Sequence, residues 1–224
     1  MPTTTTTLKT ATVSKPYRVR FVNPQKHYER IKEEIDRAIL GCLKAGDLIH
    51  RKQLFDFEEH LAQFVGTRFA VGVNSGYHAL YFSLLAHGVG PGHEVISVAH
   101  TFAASISAII HTGATPILLD VKDDHTLDTS ALQKAITPKT KAIMPVHLNG
   151  RFCDMDEIMS LAGKYNLAVV EDACQALGAT YKDKGAGSFG SGCFSFYPFK
   201  ALGAYGDGGA VTTNDPEVAR FVTL

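Results

Sequence analysis

The sequence lacks an excess of charge of either sign, since 22 lysine and arginine residues balance 22 aspartate and glutamate residues. No basic stripe favours nucleic acid as a partner, and no acidic tail is visible. Cysteine is sparse, and its four residues form no CxxC pair (Cys42, Cys153, Cys174 and Cys193). This spacing argues against a structural zinc site or a disulfide scaffold and is typical of proteins of the reducing cytosol.

Long hydrophobic runs are missing as well. A bilayer span needs roughly 20 consecutive apolar residues, and no apolar run of this sequence is that long. The start, Met1-Pro2 followed by five threonines, has no apolar region of a secretory signal. We therefore expect a cytoplasmic protein without a membrane partner, in which residues 1–15 form a disordered tail. No GxGxxG motif follows the first predicted strand, which disfavours a Rossmann-type nucleotide-binding protein.

The chain does contain a regular alternation of strands and helices with Gly or Pro at the joints. Apolar runs predict strands over residues 69–73, 94–98, 116–121, 141–147 and 167–171. Helical spacing occurs over residues 26–45, 54–65, 79–85, 103–110, 130–136 and 155–165. This order indicates an α/β fold whose mostly parallel central sheet is covered on both faces, a three-layer sandwich formed by residues 16–224. Ligands of such sheets bind at the carboxyl ends of the strands.

Lys200 carries the strongest chemical signal. It lies between an apolar run that ends at Phe199 and a glycine-rich segment, where a lysine can be sheltered enough to act as an amine. The strand 167–171 is followed by a second candidate, Asp172, beside Glu171. An amine and an anion are the two groups that pyridoxal phosphate (PLP) requires, for its aldehyde and its ring nitrogen. Because side chains alternate along a strand, only one of the two carboxylates can face the ligand. A helix cap is the alternative interpretation of Asp172.

A candidate anion site follows the first strand of the sheet. Asn74-Ser75-Gly76 ends this strand and opens a helix, whose free N–H groups and dipole favour phosphate. The alternative is a simple N-cap by Ser75. Together with the lysine and the aspartate downstream, the segment is interpreted as a phosphate site.

Two further side chains are candidates for the same ligand. Phe102 follows the strand 94–98 and could stack on a cofactor ring, or belong to the core. Ser195 could face a phosphate or satisfy a backbone group. Four histidines show no ligand spacing, so we expect no metal site (His100, His111, His125 and His147).

Several short motifs, in this order, resemble the DegT/DnrJ/EryC1/StrS family, the sugar aminotransferases of PLP fold type I. The likeness extends from about Pro24 to Asp215. Each motif alone is weak, but the ordered set is specific: Gly72-Val73-Asn74-Ser75-Gly76, Pro145-Val146-His147-Leu148, Asp154-Met155, Glu171-Asp172-Ala173-Cys174-Gln175-Ala176, Phe194-Ser195-Phe196-Tyr197-Pro198 and Gly206-Asp207-Gly208-Gly209-Ala210-Val211.

The resemblance implies a role for each candidate residue. Lys200 looks like the Schiff-base lysine that holds PLP as an internal aldimine and shuttles protons, and Asp172 like the partner of the pyridine nitrogen. Gln175 resembles the residue near the ring hydroxyl, and Phe102 the stacking aromatic. The phosphate-binding positions are matched by Ser75, Gly76, Tyr77 and Ser195. Tyr77 stands where a threonine is usual, so only its backbone N–H is expected to reach the phosphate.

The resemblance also implies an activity and an assembly. Family members transfer an amino group from glutamate to a nucleotide-linked keto sugar in amino sugar biosynthesis, and they form homodimers. Lys200 argues against the dehydratase branch, which has histidine there. Members are considerably longer than 224 residues, so we expect a fragment or truncated product whose C-terminal small domain is missing. Two alternatives stay open, namely a non-catalytic PLP-fold domain and a PLP enzyme that catalyses another reaction.

Overall fold

The structure, a computed structural model, describes residue 19 and residues 21–46 and 48–224. The expected tail, residues 1–15, lies outside these residues. The chain divides into two compact units, Met1–Arg51 and Lys52–Leu224. The first contains helix α1 (Pro24–Ala45), which begins at an Asn23 cap and ends at Gly46 in the left-handed conformation. None of the α1 side chains is buried.

The second unit contains all remaining elements of the described chain. Its helices are α2 (Lys52–Val65), α3 (Gly76–Ala86), α4 (Ala103–His111), α5 (Leu132–Ala135), α6 (Met155–Tyr165) and α7 (Pro216–Thr223). Its strands are β1 (Phe69–Val73), β2 (Glu94–Val98), β3 (Thr115–Leu119), β4 (Thr140–Ile143), β5 (Ala168–Asp172), β6 (Thr180–Tyr181), β7 (Lys184–Gly185), β8 (Ser191–Ser195) and β9 (Gly209–Thr213). Two single 3-10 turns lie at Thr129–Ala131 and Leu148–Gly150.

A seven-stranded sheet, in the order β1-β9-β8-β5-β4-β2-β3, forms the centre of residues 52–224. The pairs from β8 to β3 are parallel, and only β9 runs against its two neighbours. The expectation of a mostly parallel sheet is therefore confirmed. Strands β6 and β7 form a separate antiparallel hairpin.

The helices form two layers, one on each face of the sheet, as the contacts of the buried strand residues show. Val95, Val170 and Val211 pack with apolar side chains of α3, α4 and α7. Their strand neighbours Ile96 and Val169 pack with α6 on the other face. Residues of α2 join this second face beside β8 and β9. The three-layer architecture is thus confirmed, and it explains why the strands are apolar throughout.

Two predicted elements are shorter or less regular than expected. The predicted strand 141–147 ends at Ile143, and beyond Pro145 only the single bridge of Val146 to Asp172 continues the pairing. Proline has no N–H to donate to a ladder, so regular pairing stops there. The predicted helix 130–136 is a 3-10 turn followed by the four-residue α5. The pattern also missed β9 and α7, and the hairpin β6–β7.

Candidate active site

A cavity of about 540 Å³ lies at the carboxyl edge of the parallel strands, within the second unit. Its walls come from the segments that follow β1, β2, β4, β5 and β8 and from the turn that precedes β9. The volume lies in the usual range for a small-molecule or cofactor site. All eight residues predicted from the sequence line this one cavity: Ser75, Gly76, Tyr77, Phe102, Asp172, Gln175, Ser195 and Lys200.

The N-terminus of α3 forms one wall of the cavity. The side chain of Ser75 accepts a hydrogen bond from the N–H of His78 at 3.2 Å, so the cap predicted as an alternative is present. The first N–H groups of the helix have no partner inside the helix and can bind an anion. Gly76 is required here, because a Cβ would lie 2.6 Å from Cβ of Ser195 and 2.8 Å from Sγ of Cys174.

The Tyr77 side chain is engaged away from any phosphate. Its hydroxyl lies 2.6 Å from Nδ1 of His111, and its ring stacks on Tyr81 at 6.0 Å between centroids. Burial and the neighbouring Tyr81 raise the pKa of the Tyr77 hydroxyl, which therefore stays protonated. Only the backbone of Tyr77 is left for an anion at the start of α3.

Asp172 ends β5 and faces the cavity, with only 6% of its surface exposed. Its Oδ2 accepts a hydrogen bond from the Ser105 hydroxyl at 2.6 Å, and its Oδ1 accepts one from the N–H of Cys174 at 3.2 Å. No helix follows Asp172 directly, so the interpretation as a helix cap is wrong. The carboxylate is held by two donors and still borders open space.

Glu171, the competing carboxylate, faces the opposite side of the sheet. It is fully buried and accepts hydrogen bonds from the N–H groups of Gly187, Phe189 and Gly190 at 2.7–2.9 Å. Nε2 of the buried His147 lies 3.2 Å from its Oε2. Glu171 is therefore saturated by the protein, and Asp172 is the carboxylate available to a ligand.

Lys200 reaches the same cavity from the turn after β8. Its backbone N–H donates to the carbonyl of Tyr197 at 2.8 Å, which fixes the turn. The Ser195 hydroxyl oxygen accepts a bond from the N–H of Tyr197 at 3.3 Å and keeps its own proton for another partner. Burial and the Asp172 charge raise the pKa of the nearby Cys174 thiol well above its usual value, whereas the Lys200 charge acts in the opposite direction. Lys200 and Asp172 thus both act electrostatically on one thiol.

Phe102 and Gln175 complete the predicted set. Phe102 is 70% exposed at the start of α4, so the alternative of a core phenylalanine is wrong. Its ring is available for stacking in the cavity. The side-chain oxygen of Gln175 accepts a bond from the N–H of Asn149 at 3.0 Å, which leaves the amide NH2 free to donate.

The cavity wall contains further polar residues to which the sequence analysis gave no role, among them Thr101, Ser105 and Asp207. Ser105 is the most informative of them, because it is fully buried and bonded to Asp172. Its only sequence signal was its position three residues after Phe102, one helical turn from a residue already suspected. Among the residues that the structure describes, no cluster of three or more His, Cys, Asp or Glu could hold a metal ion.

An α/β sandwich that gathers a helix N-terminus, an aromatic ring, a carboxylate and a lysine around one cavity at the strand ends is the architecture of the PLP-dependent aminotransferases. The chain belongs to the DegT/DnrJ/EryC1/StrS aminotransferase family, whose model matches residues 29–224. The resemblance inferred from the sequence motifs is thereby confirmed.

Individual relatives support the same assignment. The chain is 47% identical over 209 residues to the dTDP-3-amino-3,4,6-trideoxy-alpha-D-glucose transaminase of Streptomyces venezuelae, covering 92% of this chain and 55% of the relative. The crystal structure of DesV from S. venezuelae, in complex with a ketimine intermediate, matches with a TM-score of 0.89 and 46% identity. That match covers 92% of this chain and 56% of the other.

A third relative bears on the cofactor. The structure of NtdA from Bacillus subtilis with bound cofactor PMP matches with a TM-score of 0.81 and 34% identity, over 86% of this chain and 44% of the other. Pyridoxal phosphate is accordingly the cofactor of this family and fold. The chain spans about half the length of the curated relatives that it matches. Within the part of the chain that the structure describes, none of the helices has the length and apolar character of a membrane span.

Proposed function

We propose that the chain is the PLP-binding large domain, residues 16–224, of an aminotransferase that moves an amino group from glutamate to a nucleotide-linked keto sugar. One observation carries the proposal: Lys200 and Asp172 line the same cavity as the N-terminus of α3, in a chain of an aminotransferase family. The cytoplasmic location and the homodimer belong to the same proposal.

The residues present fit the cofactor. Bound PLP would supply an aldehyde and a ring that accepts electrons. Asp172 would pair with the pyridine N–H, which offsets the cost of burying its charge. The phosphate would be held by the first N–H groups of α3 and by the hydroxyl of Ser195. Phe102 would stack on the ring, and Gln175 would donate to the ring hydroxyl.

Lys200 would carry the covalent and the proton-transfer roles. Its Nζ would bind the aldehyde carbon in the resting enzyme. After release it would take the proton from Cα of glutamate and pass it to that same carbon, from which it would be recovered in the second half of the reaction. The same amine would return a proton to the sugar carbon in the second half of the reaction. General acid–base catalysis of this kind contributes roughly 10²–10⁴-fold to the rate. Asp172 would keep the ring nitrogen protonated throughout.

The acceptor class rests on a relative. The name of the S. venezuelae transaminase describes a dTDP-linked amino sugar, and that protein is 47% identical to this chain. A nucleotide-linked keto sugar is therefore the acceptor that we propose.

The proposal is tested by locating the amine that binds the cofactor. The chain is incubated with PLP, reduced with borohydride, digested and analysed by mass spectrometry. We expect the pyridoxyl group on Lys200 and none after Lys200→Ala. Lys184 is an exposed lysine of β7 that is absent from the cavity wall, so Lys184→Ala is the matched control. This variant should carry the full label on Lys200.

The catalytic part is tested by adding glutamate and then a dTDP- or UDP-linked keto sugar. We expect 2-oxoglutarate in the first step and an amino sugar in the second. A label on another lysine would contradict the assignment of the site. A label on Lys200 without 2-oxoglutarate would favour the non-catalytic domain, and 2-oxoglutarate without amino sugar would favour another PLP reaction.

A further inference from the structure

We propose that Ser105 is a positioning residue for Asp172: its buried hydroxyl, on the first turn of α4, holds in place the carboxylate that would bind the ring nitrogen of the cofactor. The inference rests on the proposed function and adds a residue to its machinery. It is carried by the 2.6 Å bond from the Ser105 hydroxyl to Oδ2 of Asp172 and by the full burial of Ser105.

The direction of this hydrogen bond follows from the chemistry of its partners. An ionised carboxylate only accepts hydrogen bonds, so the proton comes from Ser105. The distance of 2.6 Å lies in the range of charge-assisted O–H···O⁻ bonds, about 2.5–2.7 Å. Oγ of Ser105 also lies 2.7 Å from Oγ1 of Thr101. Since the single proton of Ser105 is already used, Thr101 donates to Ser105, and the two hydroxyls form a directed chain that ends at the carboxylate.

The carboxylate is held at both of its oxygens. Ser105 binds Oδ2 from α4, and the N–H of Cys174 binds Oδ1 from the turn after β5. Two donors on different elements oppose rotation of the carboxylate. Each oxygen has two lone pairs, so each keeps acceptor capacity for a ligand. The arrangement fixes Asp172 without saturating it.

The neighbouring carboxylate provides the contrast. Glu171 receives three backbone N–H bonds and the contact with His147, and it does not line the cavity. A carboxylate buried only for stability would be expected to be saturated in the same way. Asp172 has fewer donors, and both Ser105 and Thr101 line the cavity beside it. Both donors of Asp172, Ser105 and the N–H of Cys174, belong to residues of the cavity wall, whereas the three N–H donors of Glu171 belong to residues outside it.

The experiment compares two cofactors that differ at one atom. PLP and 1-deaza-PLP share the aldehyde and the phosphate, but the analogue has carbon in place of the ring nitrogen. Dissociation constants for both are measured by fluorescence titration on the chain and on its Ser105→Ala, Ser105→Thr and Ser107→Ala variants. Ser107 lies on the same helix but not in the cavity wall, and its substitution is the matched control. Thermal unfolding verifies that each variant folds.

We expect Ser105→Ala to weaken PLP binding about tenfold and to leave deaza-PLP binding within about twofold. The substitution removes a hydrogen bond to the Asp172 carboxylate, and only PLP has the ring nitrogen with which this carboxylate would pair. Ser105→Thr, which keeps the hydroxyl, should retain the preference for PLP, and Ser107→Ala should match the unmodified chain. Equal weakening of both cofactors, or an unchanged preference in Ser105→Ala, would overturn the inference and leave the proposed function intact. Failure of the unmodified chain to bind PLP would overturn both.

Discussion

The two sides of the sheet at the end of β5 differ in how they treat a buried charge. On the side of α3 and α4, Asp172 has one donor on each oxygen and borders the cavity. On the side of α6, Glu171 is enclosed and accepts three backbone N–H bonds besides its contact with His147. These two carboxylates are adjacent in the sequence, and strand alternation alone separates them.

The difference indicates how a buried carboxylate that binds a ligand can be distinguished from one that only stabilises the fold. A charge that the protein satisfies completely holds the segment around it in place, because every lost bond leaves an unpaired donor. A charge that the protein satisfies in part keeps a lone pair for a ligand. We therefore expect substitutions on the two sides to affect different measurements.

The largest expected effect follows from Asp172→Asn. The substitution keeps the size of the side chain and removes its charge, so we expect glutamate-dependent formation of 2-oxoglutarate to fall about 10³-fold, the scale of one lost electrostatic contact in a catalytic site. The free energy of unfolding, measured with urea, should change by less than about 1 kcal/mol. Near-normal formation of 2-oxoglutarate would show that the charge of Asp172 is not needed for the reaction.

Glu171→Ala should act on stability instead. It leaves three N–H groups and the buried His147 without their acceptor, and removal of one partner from such a network costs about 3–5 kcal/mol. We expect the urea midpoint to fall accordingly, or the chain to be unfolded. Glu157→Ala, an exposed glutamate at the start of α6, is the control and should change the midpoint little. A stable Glu171→Ala chain would remove the contrast between the two sides.

Two glycines sharpen the comparison. Gly76→Ala introduces a Cβ 2.6 Å from that of Ser195, and we expect a loss of about 1–3 kcal/mol from overpacking, together with weaker PLP binding. Gly163→Ala, in α6 on the other side, meets nothing within 4 Å and should stabilise the helix by about 0.5–1 kcal/mol. Urea unfolding and PLP titration test both, and equal effects at the two positions would contradict the packing described at the start of α3.

The smallest effect is expected at the far end of α3, where His87 caps the helix with its Nε2 2.8 Å from Oγ of Ser191. Burial lowers the pKa of His87, against an opposing effect of Asp215, so the folded chain binds this proton less readily than the unfolded chain. Neutral His87 therefore contributes its full stabilisation at pH values above its pKa in the unfolded chain, about 6.5. This contribution is lost as the pH falls from that value toward the lower pKa of the folded chain.

The measurement is the difference in free energy of unfolding between pH 8 and pH 5.5, for the unmodified chain and for His87→Gln. We expect a smaller difference in the variant, because the proton that links pH to folding is gone. His60→Gln, an exposed position on α2, should leave the difference unchanged. A variant with the full pH dependence would show that His87 does not titrate as described.

Predictability from the sequence varied with the type of element. Strands β1 and β2 and helix α6 were predicted with their boundaries, because apolar runs and helical spacing end there at caps such as Asp154. Strand β9 was missed because Gly206, Gly208 and Gly209 indicated a turn, although it pairs with β1 and β8. Helix α7 had a usable signal, since Asp215 caps it and Pro216 opens it.

The candidate site shows the same division. Lys200 and Asp172 were identified from residue type and from their position after apolar runs of the chain. Ser105 was not, because its role depends on a carboxylate 67 positions away in the sequence. The engagement of Tyr77 with His111, 34 positions away, was equally invisible. Contacts between distant segments have no local pattern, so the sequence alone cannot reveal them.

The sequence by itself determined the α/β layering, the family motifs and the residue types that PLP chemistry requires, because hydrophobic periodicity and short motifs are local properties of the chain. Only the tertiary structure decided which hydroxyl holds Asp172, which N–H groups satisfy Glu171, and that residues from five strand ends line one space. These features depend on strand order and on the face to which each side chain points. Strand order brings together segments that are far apart in the sequence.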